Sequence, residues 1–488
     1  MLTASYVLGW CLGALSLALM IPAFYASFVG EREEAAAFIN SAAGLFFLAG
    51  GLVIALHQRK IPMGRRQQLL VVMAVWFLLP FAAAIPYYLM GLPDGFVSCY
   101  FEAISGFTTT GFSLLDELSD IPKSVILWRA LLQWLGGLTT LLVLSFIIGR
   151  LMGAELFGRD TRSIIQSNSG SSVDFENTLL IILPLYLELT FLCFILLVLF
   201  HIPLFDAFCL ALSTLSTGGY MPRAGSFSLY GSPLAELTLA IFMFLGAVSI
   251  IWVRALIKRN WTILARTHEP IWIGFLILSL GLIFSTVILM KSSSPGLLTI
   301  VHSITIGLAG AASLITTTGF VFGNPDQIVL PYLLLLIFAL IGGGRYSTAG
   351  GLKLSRVLTM FDLSRRELRD LLYPHGVHPT LYGNKSRDQH LSRSIWSIFS
   401  ITILFLVFMM LALSYMGVPL NAALMASVSS FSNFGPAYDL LRPEGTKVYP
   451  TISSMGQLAQ FLLSVGMIVG RMETLIILGF LNVSIWRK

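Results

Sequence analysis

Four short stretches of this 488-residue chain combine hydroxyl side chains with glycine in a pattern suited to holding a dehydrated cation. The first is Ser105-Gly106-Phe107-Thr108-Thr109-Thr110-Gly111-Phe112-Ser113, and the second is Leu215-Ser216-Thr217-Gly218-Gly219-Tyr220. The third is Thr316-Thr317-Thr318-Gly319-Phe320 and the fourth Ser432-Asn433-Phe434-Gly435-Pro436. A cation leaving water needs a cage of oxygens, and backbone carbonyls supply one without fixed charge. Threonine adds a hydroxyl acceptor, and glycine reaches backbone angles that cost other residues about 1–2 kcal/mol. The candidate ligating positions are Thr109, Thr110 and Gly111; Ser216, Thr217 and Gly218; Thr317, Thr318 and Gly319; and Asn433, Phe434 and Gly435, mostly through their carbonyls.

With Gly111, Gly218, Gly319 and Gly435 as marks, the intervals are 107, 101 and 116 residues. A lone Thr-Thr-Gly is more often ordinary small-residue helix packing. Four copies, each after a short apolar segment and before a long one, read instead as pore loops between membrane helices, forming an ion-selectivity filter within one chain.

The elements that must position these loops follow from composition. With 56% hydrophobic and 11% charged residues, the chain cannot hide its apolar surface in a soluble core. Runs long enough to cross about 30 Å of hydrocarbon, which takes about 20 residues, lie near 6–29 and 36–57, a leading hairpin outside the repeat. Each repeat then offers an outer helix, a short helix and a return helix, near 69–90, 96–106 and 124–151, then 179–201, 205–215 and 233–257. The third repeat has 270–290, 299–315 and 327–359, and the fourth 394–416, 422–431 and 453–486. The expected fold is an all-α polytopic membrane protein: two leading transmembrane helices, then four helix–pore loop–helix repeats around a pseudo-fourfold pore, about ten crossings. The expected boundaries are 1–66 for the hairpin and 67–170, 171–268, 269–392 and 393–488 for the repeats.

Basic residues test that count. Arg59, Lys60, Arg65 and Arg66, then Arg150, Arg159 and Arg162, then Arg254, Lys258, Arg259 and Arg266 fall on one side if the short helices do not cross. Arg365, Arg366, Arg369, Lys385, Arg387, Arg393, Arg487 and Lys488 fall there too, which makes that side, and both termini, cytoplasmic. Acidic Glu31, Glu33, Glu34, Asp116, Glu117 and Asp120 lie opposite. The net charge of +6 is thus a topology signal and not a nucleic-acid footprint. Cys11, Cys99, Cys193 and Cys209 are scattered without metal-ligand spacing. No His-Glu-x-x-His or Gly-x-Ser-x-Gly motif suggests an enzyme, and no Gly-x-Gly-x-x-Gly after a predicted strand suggests a nucleotide site.

Two further features interrupt otherwise apolar segments. The stretch Gly342-Gly343-Gly344-Arg345-Tyr346-Ser347-Thr348-Ala349-Gly350-Gly351-Leu352-Lys353 places five glycines mid-way along a helix, at about 1 kcal/mol each, so a break is expected at membrane depth. Arg471 lies within the final apolar segment, where a cation faces water or a partner, the alternative being a packing pair with Glu473. Glu102 and Asp206 read as caps or as partners of an arginine such as Arg129, and Glu188 receives no role.

The four loops, Arg129–Gly137, Gly342–Lys353, Arg366-Glu367-Leu368 before Tyr373-Pro374, and Gly470-Arg471-Met472-Glu473 together resemble the Trk/Ktr/HKT superfamily of potassium transporters, most closely its bacterial TrkH/TrkG branch. The resemblance implies K⁺ uptake across the bacterial cytoplasmic (inner) membrane, with K⁺ at the filter residues and no covalently bound cofactor. It implies a homodimer in the lipid bilayer, and a cytosolic nucleotide-binding regulatory subunit of the TrkA type. In that family the broken stretch is an intramembrane gate, here Gly342, Gly343, Gly344, Arg345, Ser347, Thr348, Gly350, Gly351 and Lys353 with Arg471, and the Arg345-Tyr346 pair departs from the usual small residues. A proton- or sodium-coupled K⁺ symporter, or a Na⁺-permeable relative, is the alternative on the same fold. Glycine at all four marks looks like the K⁺-selecting pattern, so Gly111→Ser is expected to loosen discrimination against Na⁺ in a reconstituted flux assay. Equal Na⁺ and K⁺ flux before substitution would contradict the reading.

Overall fold

A computed structural model describes residues 2–57, 65–115, 118–151, 175–291, 296–323, 331–373, 385–440 and 449–472. These residues form helices joined by turns. The leading hairpin is Leu2–Val29 and Arg32–Leu56. Repeat one has an outer helix Arg65–Ala83 continued by Ile85–Met90, a short helix Phe96–Phe107 and a return helix Lys123–Leu151. Repeat two has Phe175–Leu199, Leu204–Leu215 and Pro233–Ala247, followed by Ile250–Ile257 and Trp261–Arg266.

Repeat three has Glu269–Lys291, Leu297–Ile315, and a return path split into Tyr332–Ile341 and Leu354–Leu372. Repeat four has Lys385–Tyr415, Leu420–Phe431 and Gln457–Arg471. Its expected continuation to 486 lies outside the described residues, as does Glu473.

Among the described residues eight helices are long and apolar enough to cross a membrane, or nine with one bent pair. One of the eight, Leu297–Ile315, is the third short helix. Its 19 residues could span by length, but its C-terminal end enters the same kind of turn as the other three. Phe24, Phe47, Phe191, Phe275 and Phe408 are exposed on the outer and leading helices, the surface a lipid solvent requires.

Among the described residues two return helices are not continuous. The break between Ile341 and Leu354 is the one that the glycines predict. The return helix expected over 233–257 is corrected: it stops at Ala247 and resumes at Ile250 after a 112° bend. The two breaks satisfy each other. Gly344 N–H donates to the Ala247 carbonyl at 2.8 Å, Ile250 N–H to Tyr346 O at 3.2 Å, and Thr348 N–H to Gly246 O at 3.2 Å. Backbone leaving a helix in lipid must find such partners within the protein.

The hairpin is tied to repeat one through Glu31. Its carboxylate accepts the Lys123 and Ser124 amides at 3.0 and 3.1 Å, capping the first return helix, while Tyr25 stacks on Phe205 at 5.2 Å. A negative group over free N-terminal amides is favourable on both hydrogen-bond and dipole grounds. Glu31→Ala is therefore expected to lower stability by about 1 kcal/mol, read as a lower unfolding temperature in detergent. An unchanged transition would show that the hairpin needs no such tie.

Candidate functional site

The four short helices end in the same backbone turn. After their last residues, Phe107, Leu215, Ile315 and Phe431, comes one capping residue and then a residue with positive φ: Thr109 at 53°, Thr217 at 52°, Thr317 at 57° and Asn433 at 51°. Two residues further on stand Gly111, Gly219, Gly319 and Gly435. This register corrects the second mark. Gly219, with φ 84° like Gly111, occupies the glycine position, and Gly218 falls in line with Thr110, Thr318 and Phe434.

In that register a serine precedes each glycine by six residues, at Ser105, Ser213, Ser313 and Ser429, a signal legible in the sequence but hidden by the wrong mark. The Thr110, Gly218, Thr318 and Phe434 amides donate to the carbonyls of these serines at 2.9, 2.9, 3.0 and 2.9 Å. Each turn is thus folded back on its own helix by the same bond.

The turns close a ring. A Cβ built on Gly111 would stand 2.4 Å from the Gly218 carbonyl oxygen, and one on Gly219 would stand 2.1 Å from that of Thr318. Gly319 lies against Pro436, and Gly435 N–H donates to Thr110 O at 2.6 Å. Gly111→Ser therefore meets both a positive φ and a neighbouring carbonyl. Behind the second turn, Gln133 donates to Gly218 O at 2.7 Å and accepts from Ser213 at 2.7 Å. The carbonyls of Thr109, Thr217, Thr317 and Asn433, all in buried residues, accept no hydrogen bond from the described residues. Buried carbonyls almost always have a partner.

The Gly342–Lys353 segment packs directly against this ring. Thr348 Oγ1 donates to Leu215 O at 3.0 Å and lies 3.4 Å from Thr217 Oγ1, and Gly350 N–H donates to Thr317 Oγ1 at 2.9 Å. Gly350 also abuts the Ser432 carbonyl. The fourth turn-side contact is made by Arg471, which donates to Thr109 Oγ1 and, at 3.3 Å, to Ala349 O. Lys353 Nζ donates to that same Ala349 carbonyl. Two buried cationic side chains therefore converge on one oxygen beside the ring, lining a narrow cavity with Thr140, Gly351 and Gly470. Gly343, Gly344, Arg345 and Ser347 form the far side of the segment, where Ser347 Oγ donates to Gly344 O and Arg345 N–H to Glu269.

The sequence profile of the TrkH family, described as a cation transport protein, matches residues 34–483. The chain belongs to that family. It is similar to the Trk system potassium uptake protein TrkH of Salmonella typhimurium, 28% identical and covering 87% of this chain and 86% of the relative. It is also similar to TrkG of Escherichia coli K12, 26% identical over 99% and 98%. The crystal structure of the potassium transporter TrkH from Vibrio parahaemolyticus superposes with a TM-score of 0.84, covering all of both chains at 24% identity, which shows a shared fold. This is a transport family rather than an enzyme family, and its fold spans the membrane.

Within this fold the acidic residues near the turns are structural. Glu102 pairs with Arg129 at 2.9 Å, both buried, also accepts the Leu114 amide at 2.9 Å, and lies 3.3 Å from the Tyr220 hydroxyl oxygen. Arg129 also donates to Ser113 Oγ at 2.8 Å and lies 4.0 Å from the Tyr220 ring centre. Tyr220 Oη donates to Phe112 O at 2.8 Å, so the cluster ties turn two to turn one. Asp206 pairs with exposed Arg223 at 2.7 Å and accepts from Tyr230 at 3.0 Å, and burial, then Asp206, raises the Tyr230 phenol above its ordinary value. Glu188 is exposed on its outer helix.

Removing one charge of a buried pair leaves the other uncompensated. Glu102→Gln is expected to destabilise by about 3–5 kcal/mol, measured as loss of folded protein on heating in detergent. The double variant Glu102→Gln/Arg129→Gln should recover part of that loss. A Glu102→Gln variant as stable as wild type would show the pair to be dispensable.

Proposed function

We propose that the chain conducts K⁺ through the ring of four turns. The observation that carries this reading is the set of four buried carbonyls, at Thr109, Thr217, Thr317 and Asn433, that lack a donor among the described residues and recur once per repeat. A bare K⁺ supplies what they lack. The neighbouring positions Thr110, Gly111, Ser216, Gly218, Thr318, Gly319, Phe434 and Gly435, with Gly219, complete the filter wall. The four short helices end at the ring, so the negative ends of their dipoles favour a cation there. The similarity to potassium uptake proteins supports the choice of ion.

In the same reading Gly342–Lys353 is the gate, and Arg471 holds it closed by bridging Ala349 to Thr109. A fixed positive charge about 8 Å from a permeating ion, at an effective dielectric of about 20, costs about 2 kcal/mol. The protein acts as a homodimer in the bacterial cytoplasmic membrane with both termini cytoplasmic, and a separate cytosolic nucleotide-binding subunit of the TrkA type biases the loop. The boundaries 1–66, 67–170, 171–268, 269–392 and 393–488 are the units of this assembly.

Liposome-reconstituted protein should pass K⁺ and Rb⁺ and largely exclude Na⁺. Arg471→Ala should raise K⁺ flux about 30-fold, the rate equivalent of that barrier, and deletion within 343–350 should raise it further. Flux that the deletion leaves unchanged, with selectivity intact, would move the gate elsewhere. Specific ATP or NADH binding by the purified chain alone would contradict a separate nucleotide subunit.

A further inference from the structure

The connection between repeats two and three grips the gate segment at both of its ends. At its start, the Ala247 carbonyl accepts from Gly344 N–H at 2.8 Å and the Ile250 amide donates to Tyr346 O at 3.2 Å. At its end, the Glu269 carboxylate accepts from Arg345 N–H at 3.0 Å. Arg345 is further held by a 2.6 Å bond to Ser355 Oγ, and the Tyr346 ring packs between Leu144 and Ile251. The three residues Gly344-Arg345-Tyr346 are thus clamped from the two ends of one connecting segment.

That segment is built to lie on a membrane surface. The 112° bend at Val248-Ser249 turns Ile250–Ile257 away from the crossing direction of Pro233–Ala247. From 250 to 268 the sequence carries Arg254, Lys258, Arg259 and Arg266 and no carboxylate. Leu256, Ile257 and Trp261 are exposed beside the exposed Lys258 and Arg259. Apolar and aromatic side chains next to basic ones at the junction of two short helices are the composition of an interfacial element, and an anionic headgroup is its complementary partner.

We propose that Ile250–Arg266 binds anionic phospholipid of the cytoplasmic leaflet and, through its clamp on Gly344–Tyr346, holds the gate segment in the closed position. This rests on the reading of Gly342–Lys353 as the gate. A lipid pinned under Lys258 and Arg259 fixes both grips, because Ala247, Ile250 and Glu269 cannot shift without the connection moving. Withdrawing that lipid, or cutting the Glu269 grip, frees the loop tip. Glu269 is a positioning residue in this scheme, acting through the Arg345 amide.

The test is Rb⁺ flux in vesicles of phosphatidylcholine alone and in vesicles containing about one third phosphatidylglycerol, at fixed protein density and salt. The 343–350 deletion serves as the reference for any direct effect of surface charge on ion supply. Relative to that reference, phosphatidylglycerol should lower wild-type flux about fivefold, the weight of one basic side chain at an anionic surface. Lys258→Gln/Arg259→Gln should remove the lipid dependence without changing flux in phosphatidylcholine. Glu269→Ala should raise flux in both lipids and remove the dependence.

A wild type indifferent to lipid, or a Glu269→Ala protein that keeps the full dependence, overturns the proposal. Equal gains from the Lys258 and Arg259 substitutions in both lipids also overturn it, because the segment would then act through something other than lipid. Failure of the deletion itself to raise flux is a separate result, which defeats the gate reading.

Discussion

Backbone that leaves a helix at membrane depth has no water to turn to, and nearly every special feature of this protein answers that constraint. Each of the four short helices ends in a reversed turn whose amide is returned to a serine carbonyl six residues before the turn's glycine. The turns then press on one another so closely that a side chain at Gly111 or Gly219 would enter a neighbouring carbonyl. Among the described residues, the carbonyls of Thr109, Thr217, Thr317 and Asn433, at the same position of each turn, accept no hydrogen bond.

The same constraint explains why repeats two and three differ from repeat one. Their return paths are both interrupted, and each interruption supplies donors and acceptors to the other through Ala247, Ile250, Gly344 and Tyr346. Either break alone would strand polar backbone. Together they form a non-helical layer beneath the ring, held to turns two, three and four by Thr348 and Gly350.

Charge is distributed to match. The C-terminal ends of the four short helices meet at the ring, and Arg471 and Lys353 converge on Ala349 beside it, so cationic side chains stand near the negative ends of those helix dipoles. By contrast, the buried Glu102–Arg129 pair is self-contained, satisfied by Leu114, Ser113 and Tyr220, and serves to fix turn one against turn two. Neutral and paired groups surround the turns, while Lys353 and Arg471 bring positive charge to the non-helical layer.

The sequence by itself determined the membrane class, the leading hairpin, the fourfold count and the break at the glycine run, because hydropathy and glycine act locally and repeat at a readable interval. It also pointed to Arg129 as a partner for Glu102. Local turn preference could not choose between Gly218 and Gly219, since both fit a turn; the serine six residues before each glycine favours Gly219, and the choice is made by Thr217 taking the positive φ and by the close approach of Gly219 to Thr318. Nor could it show the break at Val248-Ser249, where the chain leaves the helix because backbone partners from 344–348 are waiting, and not because a local residue forbids helix. Arg471's bridge and Glu269's grip were likewise decided only by tertiary structure, since each joins residues more than 70 positions apart through contacts that no local pattern encodes.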